Sequence, residues 1–141
     1  MVLPSRYNLC KWNILNDNTC EICKTLENTK HMMLECENVR LFWKIVSCVI
    51  FNFCGVNIQM SEKILILGYD IENSTYHLVN LVINFAEYVI YRNHIKSLQK
   101  YHRTHARTLY RNLKSDLTFY LNCKSIKTKD NNLVTKLINM L

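Results

Sequence analysis

Apolar side chains recur at helical spacing in two long segments of the chain, and these segments predict its main helices. The first begins at residue 39, and Gly55 is well placed to end it. The second follows three candidate capping residues, Asn73, Ser74 and Thr75. The apolar positions are Val39, Phe42, Trp43, Val46, Val49, Ile50 and Phe53 in the first segment, and Leu78, Leu81, Val82, Phe85, Ala86, Val89 and Ile90 in the second.

The C-terminal third of the chain has a weaker helical pattern. Residues 103–121 carry apolar side chains at helical spacing, and the pattern leaves open whether the preceding helix continues past Lys96. A polar linker at 124–132 then precedes a last short helix over residues 133–141.

Two other segments have a more ambiguous pattern. Ser61 can cap a short helix over residues 62–67 that Gly68 would close, although the run Ile-Leu-Ile-Leu also suits a short strand. Residues 1–19 are mixed and rich in Asn, with an apolar and basic patch at Tyr7, Leu9, Lys11 and Trp12.

The composition argues against β-sandwiches and barrels. The chain has one Pro and two Gly, whereas such folds use these residues in turns about every 8–12 residues. Apolar residues make up 49% and charged residues 21%, which is enough for a buried core and argues against disorder. We therefore expect an all-α fold, a small domain of four to six helices.

Positive charge is concentrated in one segment of the chain. Residues 92–129 contain ten Lys or Arg and one acid, a net charge of +9, whereas the remaining residues carry eight basic and ten acidic side chains, a net charge of −2. A near-neutral body with one cationic segment is typical of a protein that binds a polyanion.

Seven cysteines is an odd number, and the N-terminus lacks the apolar core of a signal peptide. The longest apolar run, residues 41–54, is interrupted by polar residues and is shorter than the ~20 residues that a bilayer span needs. We therefore expect a soluble intracellular protein of the nucleus or cytoplasm, with no membrane contact. Its thiols would then be reduced, and a disulfide framework is the less favoured alternative.

Four potential metal ligands, Cys20, Cys23, His31 and Cys36, lie within 17 residues. Three thiolates and one imidazole form the closed tetrahedral set of structural zinc sites, so we expect a structural Zn²⁺ in an N-terminal Cys3His zinc loop. The alternative is a group of ordinary buried or free cysteines, since seven cysteines produce some spacings by chance. The neighbours of Cys20 and Cys23 are polar, however, which is unusual for core cysteines.

Seven basic residues in the cationic segment are spaced three or four apart: Arg92, Lys96, Lys100, Arg103, Arg107, Arg111 and Lys114. If residues 92–114 formed one continuous helix, all seven would lie within an arc of about 100° and could follow a phosphate backbone. Tyr101, His102 and His105 lie near this ridge and are candidates to stack on unpaired bases. The alternative is an ordinary solvated face, although such faces usually mix both signs of charge.

The sequence has no arrangement typical of a catalytic site. There is no Gly-rich phosphate loop, no positioned acid–base pair, and no second carboxylate beside Gly68-Tyr69-Asp70 for a two-metal site. We therefore expect neither enzymatic activity from the chain by itself nor a small-molecule substrate.

Three stretches, Cys20-Glu-Ile-Cys23, His31-Met-Met-Leu-Glu-Cys36 and Leu41-Phe42-Trp43, together resemble the zinc-binding region near the C-terminus of LINE-type (non-LTR) retrotransposon reverse transcriptases. Cys10-Lys11-Trp12-Asn13-Ile14 upstream and Leu67-Gly68-Tyr69-Asp70-Ile71 downstream extend the resemblance to about residues 7–98. The chain departs from the family at Glu37, where a Pro is frequent, and in the spacing of the acid before His31.

The resemblance implies a zinc-binding, reverse-transcriptase-associated domain over residues 1–98, with the ligand role on the Cys3His residues. It also implies RNA or DNA as partner, in support of target-primed reverse transcription, alongside the catalytic domains of a reverse transcriptase. Those catalytic functions do not carry over, because no segment here is long enough or carries their carboxylates. Residues 99–141 lie outside the resemblance, and we expect a basic helical tail packed on the domain.

The prediction from sequence is therefore a zinc-stabilised, non-catalytic nucleic-acid-binding module. The alternative, from a different class, is a zinc-stabilised protein-interaction module whose basic ridge binds an acidic partner.

Overall fold

We describe the protein from a computed structural model, which defines residues 3–70, 73–100, 105–125 and 131–141. Over these residues the fold is all-α, as predicted, and its only β feature is an isolated bridge between Thr19 and Leu26. The elements are α1 (Arg6–Lys11), a π-helix (His31–Glu35), α2 (Glu37–Cys54), α3 (Glu62–Leu67), α4 (Ser74–Lys100), α5 (Ala106–Ser125) and α6 (Asn131–Met140).

Local capping residues explain where several helices begin and end. Gly55 follows α2 with φ 72°, the left-handed conformation that ends helices, as predicted. The Asn73 side chain accepts a hydrogen bond from the Thr75 amide at the start of α4. The Ser61 hydroxyl accepts one from the Ile64 amide, so the ambiguous segment 62–67 is a helix and not a strand.

Helix α1 was not predicted, because six residues are too few to show a helical period. The Ser5 hydroxyl accepts a hydrogen bond from the Asn8 amide and caps the helix. Arg6 and Leu9 are buried, whereas Tyr7 and Lys11 are exposed. The mixed composition of this segment therefore reflects one short helix with an inner and an outer face.

The single continuous helix assumed for the basic ridge is wrong, because α4 ends at Lys100 and α5 is a separate helix that begins at Ala106. The two helices pack side by side and antiparallel. Arg92 on α4 contacts Asp116 on α5, and Asn93, one residue further along α4, contacts Asn112, one turn earlier on α5. Side-by-side packing buries the apolar faces of both helices, which one extended helix would leave in water.

Helices α2, α4, α5 and α6 enclose one hydrophobic core. Its members with no exposed surface are Phe42, Val46, Ile50, Val79, Ala86, Val89, Leu113, Leu117 and Leu137. The basic tail predicted at 99–141 contributes to this core through α5 and α6, and the boundary predicted at residue 98 falls within α4. None of the described helices is both long and apolar enough to cross a membrane.

Candidate metal centre and basic surface

A small hairpin positions the first two candidate ligands, Cys20 and Cys23. The Glu27 amide donates to the Asn18 carbonyl at its base (2.9 Å), and the Cys20 amide donates to the Thr25 carbonyl (2.8 Å). The Lys24 amide donates back to the Cys20 carbonyl (2.9 Å), and Lys24 has φ 58°, so the chain turns sharply between the hairpin's arms. This turn presents both sulfur atoms on one side.

The π-helix positions the other two ligands. The Cys36 amide donates to the His31 carbonyl five residues earlier (2.8 Å). In an α-helix, side chains five residues apart point about 140° away from each other, and the wider π turn brings them toward the same side. Asn28 starts the turn, since its side-chain oxygen accepts from the His31 amide (2.7 Å). The indole N–H of Trp43 on α2 donates to the Met33 carbonyl (2.9 Å) and so attaches the π-helix to α2.

The structure brings together all four residues predicted from the sequence. One ligand atom from each of Cys20, Cys23, His31 and Cys36 lies within 4.8 Å of the others. The Sγ atom of Cys36 is 3.9 Å from that of Cys20 and 4.0 Å from that of Cys23. Two sulfurs bound to one tetrahedral zinc ion lie about 3.8 Å apart for Zn–S bonds of about 2.3 Å, so the spacing matches a metal site.

The charges of the group also match a bound cation. A hydrogen bond with Cys36 lowers the pKa of Cys20 to about 4, while the same bond and burial raise the pKa of Cys36. The clustered thiols therefore resist carrying three negative charges without a positive ion among them. The Glu37 amide, in the first turn of α2, donates to the Cys23 sulfur (3.4 Å).

One atom of the group lacks a partner that a metal would supply. The Nε2 atom of His31 is buried and has no hydrogen-bond partner among the described residues. A buried imidazole nitrogen without a partner is costly unless it is a ligand. All seven cysteines are free thiols, so no disulfide competes for the sulfur atoms. The group can therefore hold a metal ion.

A buried polar clamp beside the metal group was not predicted from the sequence. The Glu27 carboxylate accepts from the Arg6 amide (3.1 Å) and lies 3.5 Å from Nε2 of His94 on α4. The Glu27 carbonyl accepts from the Tyr7 amide (3.0 Å), and Nε2 of His94 lies 3.3 Å from the Pro4 carbonyl oxygen. Burial raises the pKa of Glu27 to about 7 and lowers the pKa of His94. The clamp joins α1, the ligand hairpin and α4.

Of the seven basic residues predicted as a ridge, three (Arg92, Lys96 and Lys100) lie on α4 and three (Arg107, Arg111 and Lys114) lie on α5. Lys96 on α4 and Arg107, Arg111 and Lys114 on α5 are exposed. The side chain of Lys100, together with Arg103, Tyr101 and His102, lies outside the described residues. Their assignment to a nucleic-acid site stays a prediction.

Arg92 has a structural partner. Its guanidinium lies 2.8 Å from the Asp116 carboxylate and 5.2 Å from the centre of the Tyr88 ring. The ion pair holds the one acid of α5 against α4 and away from the exposed face of α5. On that face, Arg107, Arg111 and Lys114 have no ion-pair partner within the described part of the chain. We call these three residues the α5 basic face.

Comparison of the chain with models of known protein families, with curated proteins and with solved structures finds no match.

Proposed function

We propose that the protein is a zinc-stabilised, non-catalytic module that binds RNA or DNA through the α5 basic face. The observation that carries this proposal is the pairing of Arg92 with Asp116, which leaves Arg107, Arg111 and Lys114 on one exposed helix face without an acid. A place in target-primed reverse transcription, beside the catalytic domains of a reverse transcriptase, remains the context that the sequence resemblance implies.

The ligand chemistry favours zinc among the metals that the group can hold. Three soft thiolates and one imidazole in tetrahedral spacing suit Zn²⁺, whereas Mg²⁺ and Ca²⁺ prefer oxygen ligands. Four protein ligands fill the tetrahedron and leave no open position for water or substrate. The proposed role of zinc is therefore to hold the ligand hairpin, the π-helix and α2 together.

The α5 basic face suits the row of phosphates in a nucleic-acid backbone better than it suits a single small anion. Residues 107, 111 and 114 recur every three to four residues, so their charges form a line along the helix axis. Each contact between such a cation and a phosphate releases a condensed counterion, which makes binding favourable and sensitive to salt. The proposal does not use Arg92, because its guanidinium already contacts Asp116 and Tyr88.

The zinc part of the proposal is tested by elemental analysis of protein purified under reducing conditions. We expect one zinc ion per chain, and we expect Cys23→Ser to lose it. Structural zinc contributes about 10–16 kcal/mol of apparent binding free energy, so residues 18–36 should unfold in that variant. Cys48→Ser is the matched control, because Cys48 is exposed on α2 and outside the metal group. Wild-type protein without stoichiometric zinc would contradict the proposal.

The nucleic-acid part is tested by charge reversal. The triple variant Arg107→Glu, Arg111→Glu, Lys114→Glu should bind duplex DNA and single-stranded RNA much more weakly than wild type. The control changes the same number of exposed cations elsewhere, Arg40, Lys44 and Lys63 on α2 and α3, to Glu. Both variants should keep the wild-type unfolding midpoint. Equal losses of affinity in the two variants would show that overall charge, and not the α5 basic face, drives binding.

Binding of an acidic protein surface is the outcome that would favour the alternative module. In that case the wild-type chain would not bind RNA or DNA at physiological salt, although it would retain its zinc and its fold. The same charge-reversal variants would then have no nucleic-acid affinity to lose.

A further inference from the structure

A broad groove lies beside α2, and three parts of the chain line it. Arg40, Lys44 and Cys48 follow one another at intervals of four residues and so line about 12 Å of α2. The other lining residues belong to the segments 30–35 and 58–63. The groove has a volume of about 1410 Å³, which exceeds the roughly 300–1,000 Å³ of pockets for small molecules. This surface, which we call the α2 groove, therefore suits a segment of a macromolecule.

Side-chain contacts connect the parts of the chain that form the α2 groove. The Ser47 hydroxyl on α2 donates to the Ile58 carbonyl (3.4 Å), and Ile58 is buried in the core. The ammonium nitrogen of Lys30, directly before the π-helix, lies 3.3 Å from a Glu35 carboxylate oxygen and 3.0 Å from one of Glu62 on α3. Because these contacts already hold the walls together, a ligand does not have to order them, which lowers the entropy cost of binding.

The unpaired charge of the α2 groove is positive. Four basic and two acidic side chains line it, and both of the acids contact Lys30. The other three cations, Arg40, Lys44 and Lys63, are exposed and have no ion-pair partner over the ranges that the structure defines. Charge complementarity therefore favours an acidic partner.

The α2 groove also has apolar surface. Leu34 and Met60 line it, and both are half-buried, so that each packs against the core and keeps part of its side chain open to solvent. A nucleic-acid backbone has no apolar group for this surface, and the two glutamates of the groove would repel its phosphates. A peptide that carries both carboxylates and apolar side chains satisfies the cations and the apolar surface together.

We propose that the α2 groove docks a short, acidic and amphipathic segment of a partner protein. Its apolar side chains pack against Leu34 and Met60, and its carboxylates face Arg40, Lys44 and Lys63. This inference goes beyond the proposed nucleic-acid function and does not rest on it. The groove uses none of the residues of the α5 basic face, so each proposal can fail without the other.

Selection from a display library of random peptides about 12 residues long, on the full chain purified under reducing conditions, tests the inference. We expect the enriched peptides to combine several Asp or Glu residues with apolar residues. The triple variant Arg40→Glu, Lys44→Glu, Lys63→Glu should bind the best of these peptides at least about tenfold more weakly than wild type. Met60→Ser should bind it at least about threefold more weakly. The α5 charge-reversal variant is the matched control, because it reverses the same number of exposed cations, and it should bind the peptide with wild-type affinity.

Alkylation of two exposed cysteines shows where the peptide binds. Cys48 lines the α2 groove, whereas Cys123 is on α5 and outside the groove. With the peptide at about ten times its dissociation constant, alkylation of Cys48 should slow at least about fivefold, and alkylation of Cys123 should keep its rate. Mass spectrometry of the digested protein measures both rates in one sample. This measurement uses the wild-type chain, so it decides the question even where a charge-reversal variant fails to fold.

Four outcomes would overturn the inference. The first is a selection without enrichment of acidic, apolar peptides, and the second is an equal loss of peptide affinity in the two charge-reversal variants, which would reduce binding to general attraction by a basic protein. The third is an unchanged alkylation rate of Cys48 in the presence of the peptide. The fourth is a wild-type dimer that the groove variant abolishes, which would assign the α2 groove to a second copy of the chain.

Discussion

Two glycines end helices in this protein, and they differ in what a side chain would meet. Gly55 has φ 72° and ψ 6°, and a Cβ atom added there has no neighbour within 4 Å. Gly68 has φ 65° and ψ −162°, a region open almost only to glycine, and its Cβ would lie 2.9 Å from Oδ1 of Asn80. That oxygen already accepts a hydrogen bond from the Tyr69 amide.

We therefore predict that Gly55→Ala lowers the free energy of unfolding by about 1 kcal/mol, and that Gly68→Ala lowers it by more, about 2 kcal/mol or above. Urea denaturation of both variants beside wild type measures the difference. Equal losses of stability at the two positions would show that neither the backbone conformation of Gly68 nor the nearby Asn80 side chain penalises an added Cβ atom there.

Glu87 on α4 makes the stability of the protein depend on pH. Burial raises the pKa of Glu87 to about 7, from an ordinary value of 4.5, and its Oε1 atom has no hydrogen-bond partner among the described residues. Since the folded state holds the proton more tightly than the unfolded state, this residue's contribution to stability falls as pH rises from about 4.5 to about 7.

Glu87→Gln removes this titration. Relative to wild type, the variant should gain stability between pH 5 and pH 8, by about 1 kcal/mol once solvent screening of the half-exposed carboxyl is allowed for. Denaturation at the two pH values, compared as the difference between variant and wild type, cancels the titration of every other group. A difference that stays constant between pH 5 and pH 8 would contradict the assignment.

At the scale of elements, α6 is the clearest test of how the C-terminal residues belong to the fold. Leu137 has no exposed surface, and the Tyr110 hydroxyl on α5 donates to the Leu141 carbonyl at the chain end (3.1 Å). Leu137→Ala should therefore cost about 2–4 kcal/mol, as for other buried leucines. Thr135→Ala, at an exposed position of the same helix, should change stability by less than about 0.5 kcal/mol. Equal, small effects would show that α6 does not share the core.

The elements also show what the sequence could predict. The long helices α2 and α4 were predicted because their periods repeat over many residues, and Gly55 and Ser61 marked the ends of elements correctly. Helix α1 was missed because its single buried turn is too short to have a period. The break between α4 and α5 was left open by the sequence, because basic spacing continued across residues 100–105 and charge spacing carries no information about where a helix ends.

The residues of the candidate site also fall into two classes, those that the sequence predicts and those that only the fold reveals. The four ligands were predictable, because the chemistry of Cys3His sets and their short spacing identify them before any fold is known. The contact between Glu27 and His94 was not, since these residues are far apart in sequence and meet only because the fold places the ligand hairpin against α4. The role of Arg92 also depended on packing, because its partner Asp116 lies on the facing helix.

At the scale of the whole molecule, which has a net charge of +7, basic residues have two different roles. Arg6 forms an ion pair with Glu21, and Arg92 forms one with Asp116. Both ion pairs join separate elements of the fold. The three cations of the α5 basic face have no ion-pair partner within the described part of the chain. The basic residues of the protein therefore divide into those that hold the fold together and those that stay available on the surface.

The salt dependence of duplex DNA binding tests this division of the basic residues. The slope of log K against log salt concentration counts the phosphate contacts at about 0.9 per contact, so the α5 charge-reversal variant should lose about 2–3 from the wild-type slope. The control with Arg40, Lys44 and Lys63 reversed should keep the wild-type slope. A wild-type slope near zero, or one that the α5 variant leaves unchanged, would contradict the account.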